Sequence, residues 1–267
     1  MMGYLMGAFA PGFKSFSKFK KSLVTLMKCH AIGYELIHKI CPSAKVSYTK
    51  QVIEFHPIHK KSVIETLITY IGNKFMNYPT LDCILTGKVN LSFFGINLIN
   101  EKIEGLKDSI DFIGINHYTA IFASRSISDW SGRKECPIIL SNYTKKFKLS
   151  DNGWSLVPES LANTMEWINN RWNPRKLDII ISEHGISDKT DEKRKEFIMD
   201  SLAFLKEAID IKNIPVKGYL YWSILDNYEW SDGYNEHFGL VSVNLDTQER
   251  KKRETCNLIA KIASKCK

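Results

Sequence analysis

The sequence has no Cys-x-x-Cys pair: its six cysteines, Cys29, Cys41, Cys83, Cys136, Cys256 and Cys266, are scattered along 267 residues. That spacing excludes the common zinc and redox motifs, and no metal or cofactor is expected. An even count permits disulfides, but a chain long enough to bury a sizeable core does not need them. There is also no apolar run of about 20 residues, which excludes a membrane-spanning helix. The opening Met1–Ala10 stretch is apolar but has no basic leader and runs straight into Pro11-Gly12. It is not read as a secretory signal, and a cytoplasmic location is expected. The acceptor patterns Asn90-Leu91-Ser92 and Asn142-Tyr143-Thr144 are then chance matches. The formal charge is +8, yet no basic arm is long enough to track phosphates. The densest run, Arg250-Lys251-Lys252-Arg253, precedes an apolar helical pattern and reads as a solvated helix face, so neither nucleic acid nor membrane is expected as a partner.

What is present is an ordinary globular balance, 44% apolar and 12% aromatic, with no repeat and no low-complexity linker. One domain over residues 1–267 is expected. Apolar residues at helical spacing predict helices over Lys21–Ile40, after Pro57, over Glu159–Trp172 (Pro158 at its first turn), over Lys193–Ile211 and over Arg253–Ala263. His30 beside the first of these reads as a packed core histidine. His56 and His59 have no carboxylate spaced to join them on a metal and read as a solvated helix start. Strands are predicted at Ala44–Thr49, Ser109–Thr119, Leu177–Ile181 and Gly218–Leu225. Tyr78–Asn100 is expected to be irregular with short turns, and Ser124–Asp151 a long irregular connection. Strands alternating with helices imply a parallel sheet. The length suits a whole eight-stranded barrel, whereas the strand count suits half of one.

Two stretches carry chemistry. Leu177-Asp178-Ile179-Ile180-Ile181 reads as a strand buried on both faces, and Glu183 follows it, with Gly185 letting the chain turn away. The C-terminal ends of barrel strands are where catalytic groups sit. A carboxylate there can attack a carbon or hold a proton; equally it can be a loop residue or the N-terminal charge of the next helix. The second stretch, Gly218–Tyr234 followed by His237–Val241, interleaves aromatics with carboxylates just past a strand end. Aromatic faces stack on the C–H faces of sugars, and carboxylates accept hydroxyl hydrogens. Trp222 alone fits a core strand as well as a ligand contact. Glu229 beside Trp230 in a loop is less easily explained by packing.

Five blocks, in order, resemble glycoside hydrolase family one, the β-glucosidase family. They are Gly3-Tyr4…Gly7…Ala10-Pro11-Gly12, Asp111–Thr119, Gly153-Trp154…Pro158-Glu159…Leu161, Ile181-Ser182-Glu183-His184-Gly185, and Trp222–Trp230 with Phe238-Gly239-Leu240. The resemblance implies an incomplete α/β TIM barrel, its C-terminal half, with strands five to eight and their helices. It implies retaining hydrolysis of a β-glycoside, with Glu183 as nucleophile and Tyr118 orienting it. By the same resemblance Glu229 and Trp222 hold the non-reducing sugar, Trp230 and Phe238 complete that pocket, Trp154 stacks on the departing group and Asn116 supports the site. Two departures stand out. The family pattern Thr-Glu-Asn-Gly is Ser182-Glu183-His184-Gly185 here, and His184 is expected to titrate near the working pH. The family's acid/base Glu, in an Asn-Glu-Pro motif ahead of Gly3-Tyr4, is not among these residues, nor are its first four strands. Three origins stay open: a truncated product, one half of a split enzyme, and a relative that binds carbohydrate without cleaving it. The expected partners are a small β-glycoside and either a missing N-terminal half or a second copy.

Overall fold

The computed structural model describes residues 1–124 and 146–265, and the backbone of 140 and 141. After a turn of π-helix at Met2–Met6 comes α1, Phe16–Ile40, whose first turn is capped by the Ser15 side chain. Next are β1 (Thr49–Gln51), β2 (Glu54–Pro57), α2 (Val63–Met76), α3 (Tyr78–Thr86) and the hairpin β3 (Lys88–Phe93) and β4 (Ile96–Lys102). β5 (Ile113–Asn116), β6 (Ala120–Ala123), β7 (Leu140–Ser141) and α4 (Glu159–Trp172) follow. The chain then runs through β8 (Ile179–His184), α5 (Glu192–Lys212), β9 (Val216–Tyr221), β10 (Val241–Val243), β11 (Arg250–Lys252) and α6 (Glu254–Ala263).

The organising element is a four-stranded parallel sheet in the order β1-β5-β8-β9. These are the four strands anticipated near residues 45, 112, 179 and 220, each connected through helices, and they make an incomplete barrel. The first begins at Thr49, later than its alternation implied, because Asp111 takes the preceding residues: its carboxylate accepts from the Val46 amide at 2.7 Å, and its own amide donates to the Val46 carbonyl. On β8, Ile179 and Ile181 are completely buried against Leu161, Met165 and Ile168 of α4 and Leu205 of α5. Burying each such side chain contributes about 1.5–3 kcal/mol, so this seam fixes which face of β8 meets the helices. β1 and β9 are the outer strands of this sheet, and Leu220 on β9 is 57% exposed. Along α1, Leu26, Ile32, Leu36 and Ile40 are exposed as well.

Several expectations need correction. Residues 78–102 are not irregular: α3 ends on Gly87 at φ 69°, and β3 turns into β4 through Phe94 and Gly95, both at positive φ. Positive φ at both central residues is the geometry of a tight hairpin. Phe94 occupies the position where Asn or Asp would have announced it. Arg250–Lys252 is a strand paired with β10, not a helix face, although its side chains are exposed. Arg253 is half-buried and paired with Asp226. His56 and His59 do have carboxylates, Glu54 at 3.1 Å and Glu65 at 2.9 Å, each brought close by the strand and the helix cap. His30 is half-buried, its Nε2 2.7 Å from the Ser109 carbonyl. Gly185 is needed for proximity rather than for turning, since a Cβ there would lie 2.0 Å from the Trp222 carbonyl oxygen. Cys29, Cys41, Cys83 and Cys256 are free thiols. Cys136, Cys266, the Asn142 acceptor pattern and most of the 124–151 connection lie outside the described residues. No helix among the described residues is long and apolar enough to cross a membrane.

His184 is the largest correction. The β8–β9 register shifts between Ile181 and His184, and the imidazole points into the helix layer. There it stacks on Phe197 of α5 at 5.2 Å, with Nδ1 2.9 Å from the Tyr219 hydroxyl. Burial, with a smaller contribution from nearby His117, lowers its pKa from 6.5 to about 3. It is therefore neutral at working pH and does not titrate beside Glu183. The folded-state value is depressed, so the stabilisation is whole above 6.5 and is lost as pH falls from there toward about 3. The limiting slope for one such group is about 1.4 kcal/mol per pH unit. Urea melts at pH 7 and pH 5 should show His184→Asn losing less stability on acidification than the parent chain. An identical loss in both would contradict the buried, neutral assignment.

Candidate active site

β5 and β8 lie side by side in parallel, with Asn116 in register with Glu183 across a local irregularity. That pairing places the residues leaving β5 against the end of β8. The His117 amide donates to the Glu183 carbonyl at 3.0 Å, and the Tyr118 hydroxyl donates to Glu183 Oε2 at 2.5 Å. Tyr118 is buried, its ring edge-on to Trp154 at 5.7 Å and to Phe238 at 6.0 Å. Burial raises the pKa of this phenol far above its ordinary value, and the bond to Glu183 adds to the effect. It is therefore a permanent O–H donor, and one carboxylate oxygen of Glu183 is always engaged. Asn116 supports the strand end through its Oδ1, which accepts from the Ser182 hydroxyl at 2.8 Å.

The second carboxylate comes from the loop after β9. Trp222 Nε1–H donates to Glu229 Oε1 at 3.1 Å. Burial raises the Glu229 pKa; bonds from Trp222 and Asn227 oppose this, and the carboxylates of Glu183 and Glu236 add to it. Glu183, Tyr118, Trp154, Phe238, Trp222 and Glu229 thus share one electrostatic and packing environment at the C-terminal ends of the strands. Trp230 stands at the rim, 67% exposed, and stacks on Phe9 at 5.2 Å rather than on the Tyr118 group. Among the described residues there is no group of three or more His, Cys, Asp or Glu able to hold a metal ion.

Asp226 and Gly239, which hold this loop in place, lie inside the fifth block, whereas their partner Arg253 and the nearby Arg194 had no clear signature in the sequence. Asp226 forms a two-pronged pair with Arg253, both contacts at 2.9 Å, and its Oδ1 accepts from the Gly239 amide at 2.8 Å. Gly239 is obligatory, since a Cβ there would lie 2.2 Å from the Asp226 nitrogen. Arg194 is fully buried and donates to the carbonyls of Asp188 and His237, and to the Asp191 carboxylate. The Tyr221 hydroxyl donates to the Phe238 carbonyl at 3.0 Å. Arg194 sits in a run of Lys, Arg and Glu that reads as a solvated helix start. The available hint was the acid pair Asp188 and Asp191 just ahead of a helix.

Comparison with known proteins places the chain in a family. The family model described as Glycosyl hydrolase family 1 matches residues 1–267. The chain is 27% identical to Beta-glucosidase A of Acetivibrio thermocellus over 96% of its own length and 59% of that protein. It is 26% identical to a Beta-galactosidase of Saccharolobus solfataricus, over 98% of this chain and 52% of that one. The solved beta-glycosidase from Pyrococcus horikoshii superposes with a TM-score of 0.80 at 30% identity, covering 98% of this chain and 57% of its own. The chain therefore spans between half and two thirds of the length of these relatives. With the whole sequence matched, and a tyrosine-held carboxylate at the end of a parallel strand, the chain belongs to glycosyl hydrolase family 1.

Proposed function

We infer that this chain supplies the nucleophile and sugar-holding half of a retaining β-glycosidase acting on a small β-glycoside. The observation that carries this is the 2.5 Å hydrogen bond from Tyr118 to Glu183 Oε2. It occupies one carboxylate oxygen and leaves the other free to attack. In the reaction the free oxygen bonds to the anomeric carbon while the bond from that carbon to the leaving oxygen breaks. The leaving oxygen takes a proton from a second carboxylic acid about 5–5.5 Å away. Water, deprotonated by the same group, then displaces Glu183 and releases the sugar with its configuration retained. Glu229 accepts sugar hydroxyl hydrogens, Trp222 and Phe238 line the sugar, Trp230 closes the rim, and Trp154 faces the departing group. The acid comes from outside these residues, supplied by the remainder of a barrel or by a second chain.

The 267 residues by themselves should therefore turn over an aryl β-glucoside very poorly. A general acid is typically worth about 10²–10⁴-fold, and an aryl leaving group needs it least. Adding the remaining barrel strands, by fusion or as a separate polypeptide, should restore turnover that Glu183→Gln abolishes. Full turnover by the unsupplemented chain would refute the requirement for an outside acid. Restored sugar binding without turnover would favour a carbohydrate-binding role instead.

Glu229→Ala, made in the active form, should weaken sugar recognition by about 1.5–3 kcal/mol, the worth of a hydrogen bond to a charged group. The loss should be equal for substrates with good and poor leaving groups. A buried carboxyl with a raised pKa beside a nucleophile can also be a general acid. A loss confined to poor leaving groups would assign Glu229 that role and overturn the sugar-holding one.

A further inference from the structure

Tyr118 has to deliver its hydroxyl to one oxygen of Glu183, yet it leaves β5 in a segment that has already departed from the four-stranded ladder. The residues on both sides of it are anchored. Thr119 Oγ1 donates to the Ser155 carbonyl at 2.8 Å. His117, completely buried, has Nδ1 3.0 Å from the Val52 carbonyl and Nε2 2.8 Å from Ser160 Oγ. Val52 follows the end of β1, and Ser160 lies in the first turn of α4.

A carbonyl oxygen only accepts, so Nδ1 carries the proton. The Ser160 hydroxyl donates its one hydrogen to the Val157 carbonyl at 2.6 Å, and its oxygen sits 2.8 Å from Nε2. Burial lowers the pKa of this imidazole and favours the neutral ring. Thr164, one turn further along α4, places Oγ1 3.4 Å from Nδ1. The ring thus joins β1, β5 and α4 at one point, while the backbone amide of the same residue holds the Glu183 carbonyl.

We propose that His117 is a positioning residue of this site: its imidazole pins the backbone before Tyr118 to the end of β1 and the start of α4, and so keeps the Tyr118 hydroxyl on Glu183. This rests on the reading of Glu183 as nucleophile only for its catalytic meaning; the hydrogen bond itself can be followed without turnover. The two bonds and the bulk of the ring are separable. Asn at 117 is smaller than His but keeps an N–H near the position of Nδ1, whereas Leu keeps the bulk and loses both polar contacts.

The test is carbon NMR on the 267-residue chain carrying ¹³C at the tyrosine hydroxyl carbon, with the Tyr118 resonance assigned by its loss in Tyr118→Phe. His117→Asn should leave that resonance single and near its parent position. His117→Leu should shift it toward the water-exposed tyrosines or split it. A Tyr118 signal unchanged in a folded His117→Leu chain would overturn the proposal, as would an Asn variant more perturbed than the Leu variant, the order expected of a space-filling residue. If the Leu variant does not fold, Ser160→Ala decides: a shifted Tyr118 resonance supports the clamp, and an unmoved one overturns it. Because turnover is not measured, failure here is distinct from failure of the nucleophile assignment, which Glu183→Gln tests.

Discussion

The parallel pairing of β5 with β8 is the constraint on which the site depends. Its register sets Asn116 beside Glu183 and brings the Tyr118 hydroxyl within 2.5 Å of the carboxylate. Slipping a strand by one residue would turn each side chain to the opposite face, so Ile181 would enter the site and Glu183 the helix layer. What prevents slippage is apolar burial: Ile113 and Ile115 on β5, and Ile179 and Ile181 on β8, all face one core. The helices therefore act on chemistry indirectly, by making only one register affordable.

Around that pairing the electrostatics are negative. Burial, with the neighbouring carboxylates of Glu183 and Glu236, raises the Glu229 pKa. Donors in this group are neutral: the Tyr118 hydroxyl, and the Trp222 indole on Glu229. The cations of the region are kept for structure instead. Arg253 binds Asp226, and Arg194 binds the 188–191 turn and the His237 carbonyl, which carries Phe238 into the aromatic wall. On the proposed reading, neutral donors hold the Glu183 carboxylate in place without quenching the charge it would use to attack.

Much of this was legible in the sequence, for identifiable reasons. The run of isoleucines before Glu183 reads as a strand buried on both faces; it is a strand, but only Ile179 and Ile181 are buried, while Ile180 on the other face is half-exposed. α4 begins at Glu159 because Pro158 pre-sets the backbone for a first turn. The aromatic and acidic residues after β9 announced a polar pocket, and Trp222 does meet Glu229. Other features left no trace because they depend on contacts distant in sequence. His184 follows Glu183 directly, yet a shift in register turns it into the core, where it pairs with Tyr219. Arg194 looks like any helix-start cation until Asp191 and His237 fold around it. His117 is a lone histidine between two motif residues, and only Val52 and Ser160, brought from either side, give it a role.

The central claim is that Glu183 is the group that bonds to the sugar. A 2-deoxy-2-fluoro-β-glucosyl fluoride tests it directly: the fluorine at carbon 2 slows release of the glycosyl-enzyme, and fluoride departs without an acid. The chain, supplied with the remaining barrel strands, would be treated with this reagent, digested and mapped by mass spectrometry. One glycosyl adduct on the peptide bearing Glu183, absent from Glu183→Gln, is the predicted result. An adduct on Glu229 or Glu236, or one that survives Glu183→Gln, would contradict the account.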